Sequence, residues 1–343
     1  MRILVYEHLT AHGLGRDPAE PMHAMYREGL AMRDAISEDL ARIGGVEVVF
    51  TGPCDSAVLI APETDGVLLQ LAKAFPQALG PSFGAIALTS DKLALANHWR
   101  EHGVRTPATS DREPNSCETF PVVWKPRDGC GSTATFLLKD AFDVARAKAS
   151  IAAGKHAGPM ILQEFVPGQA ASVAFLFGPA GYVPLVSCLQ HLSYDGRFHY
   201  LGGELPITAE RCMLAGRASD GVARPSLARP ANNTETREHR DLAERAEALA
   251  SHAVACVPGL KGYIGVDLVL GDAPDGTQDY AVEINPRLTT SYIGLRALAD
   301  FNLAEAMLRI ATGETPPEMR WKPGRVRFSA GESAGTVPPV DPL

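Results

Sequence analysis

Three side chains late in the chain carry oxygen ligands at a spacing suited to a divalent cation. Asp267 sits inside the apolar run Gly262-Tyr263-Ile264-Gly265-Val266-Asp267-Leu268-Val269-Leu270, and Glu283 and Asn285 stand two apart in Val282-Glu283-Ile284-Asn285. A charge in an apolar strand is costly to bury unless a partner or a metal compensates it. The plain alternative is a strand-end acid facing solvent. At a spacing of two along a strand, Glu283 and Asn285 point to one face. Two strands presenting oxygen ligands on a shared face suit Mg²⁺, which is hard, prefers oxygen and takes one or two carboxylates plus substrate phosphates. We therefore expect Asp267, Glu283 and Asn285 to bind Mg²⁺ (or Mn²⁺).

Two further segments suit the rest of a nucleotide. Lys125 ends an apolar strand beside Pro126 and the loop Asp128-Gly129-Cys130-Gly131-Ser132-Thr133. Small residues let backbone N–H groups wrap phosphate oxygens, and a lysine supplies a point charge. The spacing is not G-x-x-x-x-G-K-[ST], which argues against a P-loop fold. Taken alone, the loop reads equally as a hairpin turn. Lys92 in Ser90-Asp91-Lys92 reads alone as an exposed lysine at a helix start. The segment Ile161-Leu162-Gln163-Glu164-Phe165-Val166-Pro167-Gly168 runs a strand into a turn, which offers alternating backbone C=O and N–H groups to an adenine ring. A β-hairpin edge is an equal reading of those residues.

Stepping strands and helices must position these groups. Residues 2–6 predict a buried strand, 9–15 a Gly-containing loop, and 22–43 a helix stopped by Gly44-Gly45. Strands at 46–51 and 57–61 and a helix at 66–74 complete an alternation typical of a parallel α/β layer. A helix capped by Ser90 or Asp91 runs to His102. Strands at 122–125 and 134–138 flank the Gly-rich loop as a hairpin, followed by a helix at 142–153. Strands at 160–165 and 171–177 surround Pro167-Gly168, and one strand spans 182–192. Residues 209–236 read as a long loop, 241–257 as an amphipathic helix, 261–270 and 279–284 as strands, and 291–299 and 303–311 as helices. The Pro/Gly-rich end holds one strand at 325–329. The expected organisation is an N-terminal lobe at 1–85, a small lobe at 86–190, a large lobe with the metal site at 191–320, and a tail at 321–343.

With 343 residues and 45% apolar composition, the chain can build more than one ordinary domain. A formal net charge of −8 and the lack of a dense Lys/Arg run argue against a nucleic-acid partner. Cys54, Cys117, Cys130, Cys188, Cys212 and Cys256 form no C-x-x-C pair, so they read as scattered reduced thiols rather than a zinc site or disulfide framework. Neither a signal-peptide core nor a membrane-length apolar run occurs, so we expect a cytoplasmic protein without a membrane partner. Apolar helix faces serve a core or a homodimer equally.

The order of these motifs resembles the ATP-grasp superfamily over about residues 85–312. The resemblance implies α/β and α+β structure: an ATP-grasp fold preceded by a Rossmann-like α/β lobe. It implies ATP between two α+β lobes, with Lys92 and Lys125 on the phosphates and Lys125 also near the adenine. Gln163, Glu164, Phe165 and Val166 would frame the adenine. The loop with Gly129, Gly131, Ser132 and Thr133 would close over the phosphates, and Asp267, Glu283 and Asn285 would hold the metal. Many members carry a ribose-binding glutamate two residues after the turn glycine; Ala170 stands there in this chain, leaving Gln169 or Ser172 to contribute. The run Glu283-Ile284-Asn285-Pro286-Arg287-Leu288-Thr289-Thr290-Ser291-Tyr292-Ile293-Gly294-Leu295 and the opening residues 3–15 look like the tyramine–glutamate ligases of methanofuran biosynthesis and their bacterial relatives.

That resemblance implies a carboxylate–amine ligase joining glutamate to tyramine, tyrosine or a similar amine. ATP would phosphorylate the carboxylate, the amine would attack the acyl phosphate, and ADP and phosphate would leave. Positioning and charge neutralisation would do the catalysis. Arg287 is the expected holder of the carboxylate or acyl phosphate, with an ion pair at a strand end as its alternative. Thr289, Thr290, Ser291 and Tyr292, and also Tyr200, Gly202 and Gly203, are candidates for the acceptor side. Two other classes use the same residues: a kinase- or carboxylase-type enzyme that forms no amide, and a non-catalytic ATP-binding regulator.

Overall fold

The computed structural model describes residues 1–116, 119–154, 158–207, 242–329 and 332–337. The expected loop at 209–236 lies outside the described residues, as do Cys117 and Cys212.

The first lobe is a parallel three-stranded sheet. Strand β1 (Arg2–Glu7) is followed by helices α1 (His8–His12) and α2 (His23–Ala41), then strands β2 (Glu47–Val49) and β3 (Ser56–Ile60), in the order β2-β1-β3. Ile3 and Val5 share a core with Met32, Ala35, Ile36 and Leu40 of α2, the one-face spacing of an amphipathic helix. The segment expected as a loop after β1 starts instead with α1. The Glu7 carboxylate accepts from the Leu9 and Thr10 amides, and Gly13 at φ 67° closes the turn. A side chain outside the helix thus supplies the nucleus that the loop reading overlooked.

Helices α3 (Val67–Ala74), α4 (Phe83–Ser90) and α5 (Lys92–Glu101) lead out of this lobe. The sequence reading missed α4, a short apolar helix capped by Ser82. Asp91 caps α5 by accepting from the Leu93 and Ala94 amides. A four-stranded antiparallel sheet follows: β4 (Thr109–Ser110), β5 (Val122–Pro126), β6 (Phe136–Leu138) and β7 (Met160–Glu164), ordered β4-β7-β5-β6. Helix α6 (Ala141–Gly154) packs Val144 and Ala147 against Val122, Trp124, Phe136, Leu138 and Leu162.

From Gln169 the chain joins a second, eight-stranded sheet. Its strands are β8 (Gln169–Gly178), β9 (Gly181–Pro184), β10 (Cys188–Leu192), β11 (Tyr200–Leu205), β12 (Gly262–Leu270), β13 (Tyr280–Asn285), β14 (Arg325–Ser329) and β15 (Glu332–Val337). The order is β13-β12-β8-β10-β11-β14-β15, with β9 also on β8. Pro167-Gly168 therefore turns no hairpin: β7 pairs with β4 and β5, while β8 pairs with β12, so the turn carries the chain between sheets. At this crossing Gly168 has φ 153°, and a Cβ there would lie 2.5 Å from the Leu270 carbonyl oxygen. The sheet change thus falls at 165–168, and residue 190 lies within β10. The strand expected at 182–192 is two strands, because β9 pairs with the end of β8 and β10 with its beginning.

Strand β8 is buried from Ala171 to Phe177 because both faces are covered. Val173, Phe175 and Phe177 face α7 (Leu242–Ala255), whose Ala246, Ala250, Ala253 and Val254 are buried with them. Ala174 and Leu176 share a core with α8 (Ser291–Leu298), α9 (Leu303–Thr312) and the first lobe's α2. Alternation along one strand thus ties the first lobe to the large sheet. Among the described residues, no helix is long and apolar enough to cross a membrane.

Candidate active site

Antiparallel pairing of β12 with β13 sets Asp267 directly opposite Glu283, and Gly265 opposite Asn285. All three oxygen-bearing side chains line one cleft, about 470 Å³ in volume, between the two sheets. Asp267 Oδ1 accepts from Gln190 Nε2 at 2.8 Å, and Oδ2 from Asn285 Nδ2 at 3.0 Å. That fixes the Asn285 amide with its carbonyl oxygen left over. Burial and the Glu283 charge push the Asp267 carboxyl up. On Glu283 burial acts the same way, but the Lys92 and Lys125 charges outweigh it and hold this carboxyl down. Two facing carboxylates and an amide oxygen form a hard, all-oxygen donor set that fits a divalent cation, which would favour ionisation of both acids. Among the described residues, no three His, Cys, Asp or Glu side chains cluster as a metal cage.

The two lysines enter from different elements. Lys92 opens α5, where its Nζ donates to the Gly129 carbonyl and lies 3.2 Å from Glu283 Oε2. A fork from Arg127 to Asp91, at 2.7 and 2.6 Å, ties the start of α5 to the end of β5. Neither Arg127 nor its tie was foreseen. Lys125 on β5 is buried, and no hydrogen bond reaches its ammonium among the described residues. Burial lowers its pKa to about 8, with Lys92 adding to the drop and Glu283 opposing it. A buried ammonium without a hydrogen-bond partner fits an anionic ligand. Gly129, Gly131, Ser132 and Thr133 line the cleft beside it. Gly131, Ser132 and Ala134 have positive φ, and Ser132 Oγ donates to the Phe198 carbonyl at 2.7 Å. The loop also meets the first lobe: the Asp65 amide donates to Asp128 Oδ2 at 3.0 Å, and Cys130 sits 3.8 Å from Met25 Sδ.

Gln163, Glu164, Phe165 and Val166 line the cleft where the chain crosses between sheets. The Gln163 side chain is buried and donates to Thr109 Oγ1 at 3.0 Å, while Glu164 Oε2 accepts from the Ala108 amide at 3.3 Å. Their side chains therefore brace the edge strand β4, which leaves the backbone and the apolar Phe165, Val166, Leu268 and Val269 as cleft wall. Gln169, Ala170 and Ser172 also line it. Phe198 and Tyr194, from the turn after β10, extend the wall and were not foreseen.

Arg287 borders the cleft, and its guanidinium pairs with Glu63 of the first lobe. The Nη2–Oε2 contact at 3.1 Å is a hydrogen bond; the Nε–Oε1 approach at 2.9 Å is an ion-pair contact without hydrogen-bond alignment. Thr289, Thr290, Ser291 and Tyr200 line the same region. Tyr292 does not: its ring is fully buried and its hydroxyl donates to Asp39 Oδ2 at 2.8 Å. Gly202 and Gly203 lie mid-strand in β11 against Phe328, where a Cβ would meet the Phe328 oxygen at 2.4 Å and its ring at 2.6 Å. Glu28 and Met32 of α2 reach the cleft from the first lobe. Glu28, Glu63 and Gln190 escaped the sequence reading, because each is placed by contacts distant in the chain.

The comparisons agree with this architecture. A tyramine–L-glutamate ligase from Methanocaldococcus fervens is 29% identical over 264 residues, which span 76% of this chain and 67% of that protein. A crystal structure from Archaeoglobus fulgidus, described as an ATP-grasp superfamily protein, matches at 25% identity and a TM-score of 0.61, covering 95% of this chain and 91% of the other. A carboxyaminoimidazole ribonucleotide synthase from Aspergillus clavatus, solved with ATP, shares the fold at 13% identity and a TM-score of 0.64, covering 95% and 81%. The family model described as an ATP-grasp domain matches residues 89–224 and 227–291, a span that contains Lys92, Lys125, Asp267, Glu283, Asn285 and Arg287 but neither Glu28 nor Glu63 of the first lobe. On that match and that fold, the chain belongs to the ATP-grasp family.

Proposed function

We propose that this protein is an ATP-dependent carboxylate–amine ligase that works through an acyl phosphate, joining glutamate to tyramine, tyrosine or a similar amine. One observation carries the reading: a single cleft joins the Asp267–Glu283–Asn285 oxygen set, Lys92 and the buried Lys125 to a second polar region around Arg287, Thr289, Thr290 and Ser291. A nucleotide alone does not need that second region; a carboxylate to be activated does. The name of the Methanocaldococcus relative supports glutamate and tyramine as the substrates to try first, and the resemblance of residues 283–295 adds a methanofuran-type biosynthesis as the setting.

In this reading Lys92 and Lys125 neutralise the phosphates, and Gly129, Gly131, Ser132 and Thr133 supply backbone donors. The wall formed by Gln163, Glu164, Phe165 and Val166 takes the adenine. Arg287, held by Glu63, has donors left to orient the carboxylate for in-line attack on the γ-phosphoryl group. Asp267, Glu283 and Asn285 hold Mg²⁺, which when bound cancels charge on the transferring phosphoryl oxygens. The amine then attacks the activated acyl carbon, and phosphate leaves.

The test is ADP release from ATP and Mg²⁺ with glutamate paired in turn with tyramine, tyrosine and simple amines. The ligase reading expects ADP and an amide-linked product only when both partners are present. ADP formed with a carboxylate or bicarbonate alone, and no amide, would instead assign the protein to the kinase or carboxylase class.

A further inference from the structure

Four carboxylates line the cleft: Glu28, Glu164, Asp267 and Glu283. Three are engaged. Asp267 accepts from Gln190 and Asn285, Glu283 faces Lys92, and Glu164 accepts from the Ala108 amide. Glu28 alone among them makes no hydrogen bond or ion pair with the described residues. The cation whose charge reaches it is Arg287, and that guanidinium turns its Nε and Nη2 to Glu63 rather than to Glu28. Tyr200 is its other charged or titratable neighbour, and that hydroxyl bonds to Thr290.

The position of Glu28 is built, not incidental. Its neighbour Gly29 packs so closely on the Glu7 carboxylate that a Cβ would lie 2.6 Å from it. Glu7 is itself held by the Leu9 and Thr10 amides. This contact fixes α2 against the end of β1, and α2 then presents Glu28 and, one turn on, the apolar Met32 to the Arg287 end of the cleft. A carboxylate kept without a protein partner in a half-buried site is unfavourable unless a ligand supplies the cation.

We infer that Glu28 receives the acceptor substrate as a primary ammonium and takes its proton as the amine is acylated. The inference rests on the ligase reading of the cleft. In the step, the ammonium N–H bond breaks, its proton passes to a Glu28 carboxylate oxygen, and the freed nitrogen lone pair attacks the acyl phosphate carbon. The C–O bond to phosphate then breaks with its electron pair, and the second amine proton leaves with the phosphate. Arg287 and Glu28, which both line the cleft, thus sort the two substrates by charge, carboxylate to the one and ammonium to the other. Burial pushes the Glu28 carboxyl up to about 7 against the opposing Arg287 charge, which matches it to proton transfer near neutral pH.

Hydroxylamine separates the roles, because it is largely uncharged at neutral pH and needs no base to act as a nucleophile. The experiment compares wild type, Glu28→Gln and Glu28→Asp with glutamate, ATP and Mg²⁺, using either tyramine or hydroxylamine as acceptor. Glu28→Gln is expected to keep hydroxamate and ADP formation close to wild type while its kcat/KM for tyramine falls roughly 10²–10⁴-fold. Glu28→Asp should recover part of the tyramine reaction. Equal loss with both acceptors in a folded Glu28→Gln variant, or tyramine ligation at the wild-type rate, would overturn the inference. Wild-type protein that forms neither hydroxamate nor amide would overturn the ligase reading and this inference with it.

Discussion

Arg287, two residues past the end of β13, donates through Nη2 to Glu63 Oε2 at 3.1 Å, across 224 residues of sequence. The contact binds the first lobe to the strand that carries Glu283 and Asn285. Both side chains are largely buried, with 13% and 6% exposure. The first lobe therefore helps to shape the cleft, rather than only adjoining it.

Removing one partner should expose that dependence. Glu63→Gln leaves the Arg287 charge buried and unpaired, which typically costs about 3–5 kcal/mol. Thermal or denaturant unfolding should show a loss of that order, together with a higher KM for the carboxylate. Unchanged stability and KM would mean that the pair is not needed to hold Arg287.

The facing acids make a separate prediction. Asp267→Asn and Glu283→Gln are close in shape, and the strand ladder around them is apolar and extensive. Both variants should fold, with turnover reduced by roughly 10²–10³-fold, as when one stabilising group is lost from a preorganised site. Titration with Mg²⁺ or Mn²⁺ should show weakened metal dependence. A folded Asp267→Asn variant with full activity would remove this residue from the metal set.

Gly168 is the third test. Its φ of 153° and the 2.5 Å approach of the Leu270 oxygen leave no room for a side chain. Gly168→Val should cost about 1–3 kcal/mol, the scale of a strained backbone site. It should also weaken ATP binding, because the cleft wall at Phe165 and Val166 leads into this crossing. Thermal unfolding measures the first effect, and calorimetric titration with ATP analogues the second.

Glu28 adds a pH signature. Its carboxyl rises from the ordinary 4.5 to about 7 on folding, through burial, with Arg287 opposing and the Tyr200 hydroxyl nearby. Between those values the folded state binds more protons than the unfolded state, so stability from this group is full below the ordinary value and is lost as pH rises towards about 7. Glu28→Gln should therefore gain stability relative to wild type between about pH 5 and about pH 8. Parallel pH–stability curves for the two proteins would contradict the raised carboxyl.

Local patterns made much of this legible. Asp267 and Glu283 stand out because a charge inside an apolar strand breaks the pattern its neighbours set, and the spacing of Glu283 and Asn285 fixes a shared face. The helices at 23–41, 242–255 and 303–312 follow from amphipathic spacing. What failed was whatever depends on distant partners. Pro167-Gly168 resembles a hairpin turn until the pairing of β8 with β12 is known. Helix α1 exists because Glu7 caps it, and Tyr292 is drawn into the core by Asp39 of α2, 253 residues away. Glu28 and Glu63 look like ordinary surface acids in the sequence; only the docking of the first lobe brings them to Arg287.

Oxygen transfer from the carboxylate tests the central claim most directly. Glutamate labelled with ¹⁸O in its side-chain carboxylate, incubated with ATP, Mg²⁺ and tyramine, should yield phosphate carrying one labelled oxygen for each amide formed, alongside ADP. Amide formed without label in the phosphate, or label recovered in AMP, would contradict activation through an acyl phosphate.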